Sequence, residues 1–364
     1  MSHAEDRLEG AEVLAVDALL VTAPPVVTAA DAQRVAAGCY PGFAHCSPLA
    51  GERDVNFRIA ADDGRALTLK FINAAESLDE TVMQIAVLKH LRGGVSVAAP
   101  QHYPAVLGAL APQAGFTPGM SADGPTLDWL LYRPDSHATP VRVRAYGFLE
   151  GQAGARLQAV PEGFHALGAS VAQLGVLLAD FDHPAAHRQL LWDTCQVLGL
   201  LPMLDAVSDP TERGMIETYL GRFEHRIQPG LAGLPGQVIH NDLSPSNILV
   251  DETGRRPVGI LDFGDMVYAP RIAEIAVAAS YQMGRCPDPL GVLQAMVAGY
   301  ETITPLSRDE RTHVLDLVLA RLVQRMVITS WRALRFPANR DYILRSHAAA
   351  TGLFFNLYDA WKRG

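Results

Sequence analysis

Two short runs constrain this chain more than anything else in it: His240-Asn241-Asp242-Leu243-Ser244-Pro245-Ser246-Asn247, and Ile260-Leu261-Asp262-Phe263-Gly264-Asp265. In the first, an aspartate and an asparagine five residues apart share a tight loop containing Ser244, Pro245 and Ser246. In the second, Val258, Ile260 and Leu261 read as a buried strand, and a turn at Phe263-Gly264 leaves the Asp262 carboxylate at its exposed end. Either run alone recurs by chance. Both together, in this order and each after a strand, point to phosphoryl transfer. That chemistry needs a carboxylate to orient the attacking hydroxyl and oxygen ligands to hold Mg²⁺ against the phosphates. Asp242 is the expected base, Asn247 and Asp262 the expected metal ligands, and His240 a brace of the loop through hydrogen bonds.

Upstream, Thr28-Ala-Ala-Asp31 opens a helix to about Ala37, and Tyr40-Pro41-Gly42 reads as a turn. Asn56–Ala60 and Ala66–Ile72, joined by Asp62-Asp63-Gly64-Arg65, form a hairpin signal. Lys70 sits among strand-forming apolar residues, where a charge needs a partner or a ligand; a kinase places its phosphate-anchoring lysine on such a strand. The alternative is an outward-facing lysine on an edge strand. Ser77-Leu-Asp-Glu80 is a capping box opening a helix to about Arg92, with Gly93-Gly94 as its stop. Kinases take a glutamate from this helix to steady the lysine. Here Glu80 has a capping job, so Gln84, one turn deeper, is the expected partner of Lys70.

Residues 111–140 read as a loop and hairpin insertion with a strand over Leu127–Tyr132, and Val141–Leu149 alternates as a strand ending at a Glu150-Gly151 hinge. Beyond it lie a helix over His165–Asp180 and, from the capping box Ser307-Arg-Asp-Glu310, a long helix to about Trp331. This order predicts an α+β, bilobal protein-kinase-like fold with a small antiparallel-sheet N-lobe and a mostly helical C-lobe. The expected division is an N-terminal extension over 1–27, a nucleotide-binding lobe over 28–149, and a lobe over 150–364 carrying the catalytic loops and acceptor site. The nucleotide base is expected between the lobes, against the Arg144–Leu149 strand, with Tyr146 and Phe148 beside it.

The net charge of −9 provides no basic field for nucleic acid or an anionic membrane. The four cysteines, Cys39, Cys46, Cys195 and Cys286, have no zinc-site spacing and are expected to be reduced. The acidic start of the chain and the lack of a membrane-length apolar run lead to the expectation of a soluble cytoplasmic enzyme, monomeric or homodimeric.

These residues resemble the aminoglycoside phosphotransferase and choline kinase superfamily, and within it most the hydroxylysine kinase branch. Gly51-Glu52-Arg53-Asp54-Val55-Asn56-Phe57 is similar to that branch's nucleotide loop, Trp192-Asp193 after Phe181-Asp182-His183-Pro184 to its connecting segment, and His240–Leu249 with Gly259–Met266 to its catalytic core. Gln84 in place of the helix glutamate is similar too. The chain has no Gly-x-Gly-x-x-Gly, so Gly51 and nearby backbone N–H groups are expected to meet the phosphates. It also lacks Ala-Pro-Glu after Asp262, which disfavours a protein substrate.

The resemblance implies Mg²⁺, ATP or GTP as donor, and a small amino-bearing alcohol as acceptor. Hydroxylysine-like compounds lead, with homoserine, choline or ethanolamine and aminoglycosides as alternatives. Asp265 either binds the acceptor's ammonium or caps the following helix. Trp192, Arg321, Arg325 and Trp331 either line the acceptor pocket or serve the core and surface. A nucleotide-binding module without turnover is the competing reading. Its signature would be loss of a catalytic group, but Lys70, Asp242, Asn247 and Asp262 are all present.

Overall fold

A computed structural model describes residues 18–92, 98–105, 116–121, 124–134 and 139–363. Most of the expected N-terminal extension over 1–27, the Gly93-Gly94 helix stop and parts of the 111–140 insertion lie outside them. The fold is α+β, and its contacts divide at Glu150/Gly151 into two compact units.

The N-terminal unit is an antiparallel sheet in the order β1-β2-β3-β7-β6-β5, with β4 paired to β7. Its strands are β1 (Phe43–Leu49), β2 (Val55–Ala61), β3 (Ala66–Phe71), β4 (His102–Tyr103), β5 (Phe116–Ser121), β6 (Gly124–Tyr132) and β7 (Val141–Gly147). The sequence signalled β2, β3, β6 and β7 by apolar alternation. It did not signal β1, whose burial is irregular and which contains Pro48, because an edge strand with few core contacts has little pattern to read.

Two helices accompany the sheet. Helix α1 (Ala29–Cys39) starts at a Thr28–Asp31 capping box and α2 (Leu78–His90) at the Ser77–Glu80 box. Leu67, Leu69 and Phe71 of β3 enter the core with Ala32, Val35 and Ala36 of α1, so strand alternation puts Thr68 and Lys70 on the opposite face. Residues 18–27, expected to end a separate extension, group with this unit; Leu20 is buried, and Asn73 donates to the Thr22 and Ala23 carbonyls.

The C-terminal unit is mostly helical. Strand β8 (Gln152–Ala153) precedes α3 (Pro161–Leu178), and a 3₁₀ segment (Thr194–Ala206) leads to α4 (Pro210–Arg222) and the short α5 (Gln228–Leu231). Strands β9 (Gly236–Ile239), β10 (Ile248–Val250), β11 (Pro257–Ile260) and β12 (Val267–Pro270) carry the two loops, followed by α6 (Ile272–Gln282), α7 (Pro289–Glu301), α8 (Arg308–Arg335), α9 (Arg340–Leu344) and α10 (His347–Arg363). Helix α8 begins at the Ser307–Glu310 box and continues past the expected end at Trp331. Among the described residues, no helix is long and apolar enough to cross a membrane.

Candidate active site

The first loop joins β9 to β10, and the second leaves β11 toward β12. Pairing of Ile248 with Ile260 brings the loops together, and one step beyond it Leu261 N–H donates to the Asn247 carbonyl at 2.8 Å. Asn247 and Asp262 therefore emerge at the same end of one hairpin. Asn247 donates its side-chain amide to Asp242 twice, to the backbone oxygen at 3.0 Å and to Oδ2 at 2.6 Å. That leaves the Asn247 side-chain oxygen for a ligand.

Asp242 is also held from the other side, where Arg321 Nη2 donates to its Oδ1 at 3.2 Å. A carboxylate offers about four lone-pair positions, so both contacts can persist while the group accepts a hydroxyl. Arg321 is fully buried, with Nη1 on the Trp192 carbonyl at 2.7 Å and its guanidinium 4.7 Å from the Trp192 ring centroid. Burial works against its charge, yet Tyr281, Asp242 and Asp265 together hold its pKa above the ordinary guanidinium value. Sequence reading had left pocket, core and surface open for Arg321; packing places it against the expected base.

The loop backbone is under unusual constraint. Asn241 and Asp262 both have positive φ, 64° and 59°, a left-handed conformation that side chains other than glycine adopt at a cost. Buried Glu274 of α6 compensates at the first site by accepting the backbone N–H groups of His240 and Asn241, at 2.5 and 3.1 Å. Burial raises the Glu274 pKa, while His240 and the two N–H donors pull it back. His240 braces the loop as expected: Nε2 lies 2.9 Å from the Leu261 carbonyl, and Nδ1 accepts Asp242 N–H at 3.2 Å. At the second site, Arg188 fixes the turn by donating to the carbonyls of Gly264 at 2.7 Å and Met266 at 3.0 Å.

Sequence reading missed both Glu274 and Arg188. A lone acid in the apolar run Ile272–Ala279 was a usable signal for Glu274; nothing local marked Arg188. Asp265 does not cap the next helix, whose N-cap is Arg271 without a side-chain bond. It is buried, and its charge acts on Arg321. Trp331 instead stacks with Arg335, 4.8 Å away.

In the N-terminal unit, register aligns Asn56, Lys70 and Arg144 across β2, β3 and β7. Lys70 is buried, and its ammonium lies 2.7 Å from Asp54 Oδ2. The expected Lys70–Gln84 pair is therefore corrected: Gln84 Oε1 accepts from Arg144 instead. Asp54 reaches Lys70 because the turn before β2 is very tight; a Cβ on Gly51 would stand 2.5 Å from the Asp54 carbonyl. Asp54 also accepts Asn73 N–H at 2.7 Å, which pins this turn to the end of β3. Arg144 packs on the Tyr146 ring and Arg58 on Phe148, at 5.3 and 5.0 Å.

An exposed carboxylate on Asp262 and an amide oxygen on Asn247 form an oxygen-only donor set, which suits a hard cation that completes its shell with phosphates and water. No cluster of three or more His, Cys, Asp or Glu able to hold a metal occurs among the described residues, so a zinc-type cage does not describe this site.

The sequence matches the model of the phosphotransferase enzyme family over residues 45–310. The chain belongs to this family. It is 26% identical over 336 residues to the hydroxylysine kinase of Mus musculus, covering 89% of this chain and 87% of that protein. In fold it is similar to a microcompartment-associated aminopropanol kinase, with a TM-score of 0.67 at 18% identity, covering 92% of this chain and 98% of that one. It is also similar to an amicoumacin kinase in complex with AMP-PNP, Ca²⁺ and its ligand, with a TM-score of 0.56 at 13% identity, covering 94% and 95%. The family member is thus a small-molecule kinase with an alcohol group as acceptor.

Proposed function

We propose that this kinase transfers the γ-phosphoryl group of Mg²⁺-bound ATP or GTP to a hydroxyl of a small amino-bearing metabolite, 5-hydroxylysine being the first compound to try. The supporting observation is the link that runs from Asp242 through Asn247 to Leu261, next to Asp262, because it couples the position of the base to that of the metal ligands. The metal would be held by Asn247 and Asp262 and would neutralise charge developing on the phosphates. Asp242 orients the acceptor hydroxyl and takes its proton as the oxygen–phosphorus bond forms and the bond to the β-phosphate oxygen breaks.

In this reading Lys70 meets the nucleotide phosphates, with Asp54 as the carboxylate that steadies it. Gly51 and its neighbours offer backbone N–H groups to the phosphates, and Tyr146 on β7 with Phe148 just beyond its end receives the base. Gln84 acts on the site through Arg144. Asp265, Trp192 and Arg321 belong to the acceptor side.

The test is the initial rate with 5-hydroxylysine, homoserine, choline and an aminoglycoside, using ATP and GTP in turn. Activity confined to alcohols or sugars without an amine would overturn the acceptor class and leave the kinase assignment in place. The hydroxylysine kinase relative favours the first compound over the others.

A further inference from the structure

Arg321 and Arg325 stand one turn apart on α8, both buried, but only one of them has its charge answered. Arg321 faces Asp242. Arg325 donates to the carbonyls of Ser280 at 3.2 Å and Ser346 at 3.4 Å and packs 4.5 Å from the Tyr281 ring centroid. No carboxylate among the described residues pairs with it; Glu212, on α4, lies instead 3.6 Å from His347. Burial, with Arg321 adding to it, lowers the Arg325 pKa, although Tyr281 and the more distant charge of Asp242 act in the opposite direction. A buried cation paired with nothing but carbonyls and a ring is costly unless an anion arrives to answer it.

Three of the unsatisfied polar atoms nearby are donors. Arg325 Nε, Arg321 Nε and Trp192 Nε1 are all buried donors without a hydrogen-bond partner. Arg321 connects them, since it contacts both the Trp192 ring and Tyr281. Buried donors in a native protein are normally satisfied, and a group that is not asks for a ligand or water. Two buried acceptors are also without partners, Gln324 Oε1 and Asn241 Oδ1. Both side chains donate to the segment around Trp192, Gln324 to the Leu191 and Asp193 carbonyls and Asn241 to the Trp192 carbonyl. Unanswered donors beside unanswered acceptors match a zwitterion better than a simple cation.

We propose that Arg325, with Arg321 and Trp192, forms a subsite for a carboxylate carried by the acceptor, so that the substrate is a hydroxylated amino acid and not a simple amino alcohol. This deepens the reading of the chain as a kinase for an amino-bearing alcohol and rests on it. The planar guanidinium is suited to a carboxylate, and the adjacent aromatic rings keep it desolvated, which strengthens the pairing.

The test compares each acid with its own carboxamide, 5-hydroxylysine with 5-hydroxylysinamide and homoserine with homoserinamide. Two readouts are taken on the full chain with Mg²⁺ and a nucleotide: initial rate with ATP, and thermal stabilisation with AMP-PNP. In the wild-type protein the preferred acid should have a KM about a hundredfold below that of its amide, and should stabilise at concentrations where the amide does not. Arg325→Gln should bring the pair to within about threefold of each other, and Arg325→Lys should restore part of the difference. Equal KM and equal stabilisation by acid and amide in the wild type overturn the subsite, even if both are phosphorylated, and so does the lack of any acid-specific stabilisation. Since the wild-type comparison needs no variant, poor folding of Arg325→Gln does not rescue the proposal. Failure of the acceptor class has a different signature, turnover of amine-free alcohols alone.

Discussion

The two units hold their key charges by different physical means. In the N-terminal unit Lys70 is placed by strand register: alternation keeps it off the core face, and Asp54 answers it from the neighbouring turn. Register is a strong device, since a slip by one residue would exchange the buried face of β3 with the other. In the C-terminal unit Asp242 sits on irregular backbone, where no ladder fixes it. Its loop is held by side chains instead, Glu274 on two N–H groups, His240 across to Leu261, and Asn247 and Arg321 on the carboxylate itself. A sheet can position one charge with few dedicated partners. A loop needs several, and each partner is a place where it can fail.

The sharpest test of this contrast is at its centre. Asp242→Asn should lower kcat by about 10³-fold or more while leaving nucleotide binding nearly unchanged, because in the proposed mechanism the lost group orients the acceptor hydroxyl. Near-full turnover in that variant would remove Asp242 from the base role.

Next in size is Glu274→Ala, which strands two buried N–H groups and should cost about 2–4 kcal/mol in urea unfolding of the C-terminal unit, with a fall in kcat. Asp54→Ala should destabilise less, since Asp54 keeps some solvent contact, so that water entering its place can take over part of its pairing with Lys70, and strand register persists without it. The reverse ranking would show that register is the weaker device.

The units should also respond to acid with opposite sign. Burial pushes His102 down to about 4 from 6.5, with Asp128 opposing, so the folded N-terminal unit favours the neutral ring. The unfolded chain takes up that proton first. The stability contributed is therefore present above pH 6.5 and lost as pH falls through about 4. Burial raises Asp193 to about 6 from 3.8, with the Cys195 N–H and Arg321 opposing, so the folded C-terminal unit favours the protonated acid. Its contribution is present below pH 3.8 and lost as pH rises through about 6. Each effect amounts to roughly 3 kcal/mol over its full range. As pH falls from 7 to 5, amide protection relative to the intrinsic exchange rate should drop around β4 and β7 and rise around residues 191–206; His102→Gln and Asp193→Asn should each flatten one of these responses. A change of the same sign in both units would break the comparison.

The smallest effect belongs to Gln84. Because it bonds Arg144 and not Lys70, Gln84→Ala should raise the nucleotide KM by about threefold or less, below the effect of Asp54→Ala. A Gln84 effect larger than that of Asp54 would return Gln84 to the lysine.

The sequence alone determined whatever depends on neighbours along the chain. The Asp242–Asn247 loop and Asp262 turn were legible because their chemistry requires those residue types within a few positions. Strands β2, β3 and β7 were legible from alternation, and the Thr28, Ser77 and Ser307 helix starts because a capping box closes within one turn. Only the tertiary structure decided which distant side chains answer which charges. Arg321 reaches Asp242 across 79 positions of chain and Glu274 reaches His240 across 34, while Lys70 takes Asp54 and leaves Gln84 to Arg144. The physical reason is that a buried polar group bonds whatever partner packing brings within hydrogen-bond distance, and packing is set by the summed burial of apolar faces, to which the identity of any one partner contributes little.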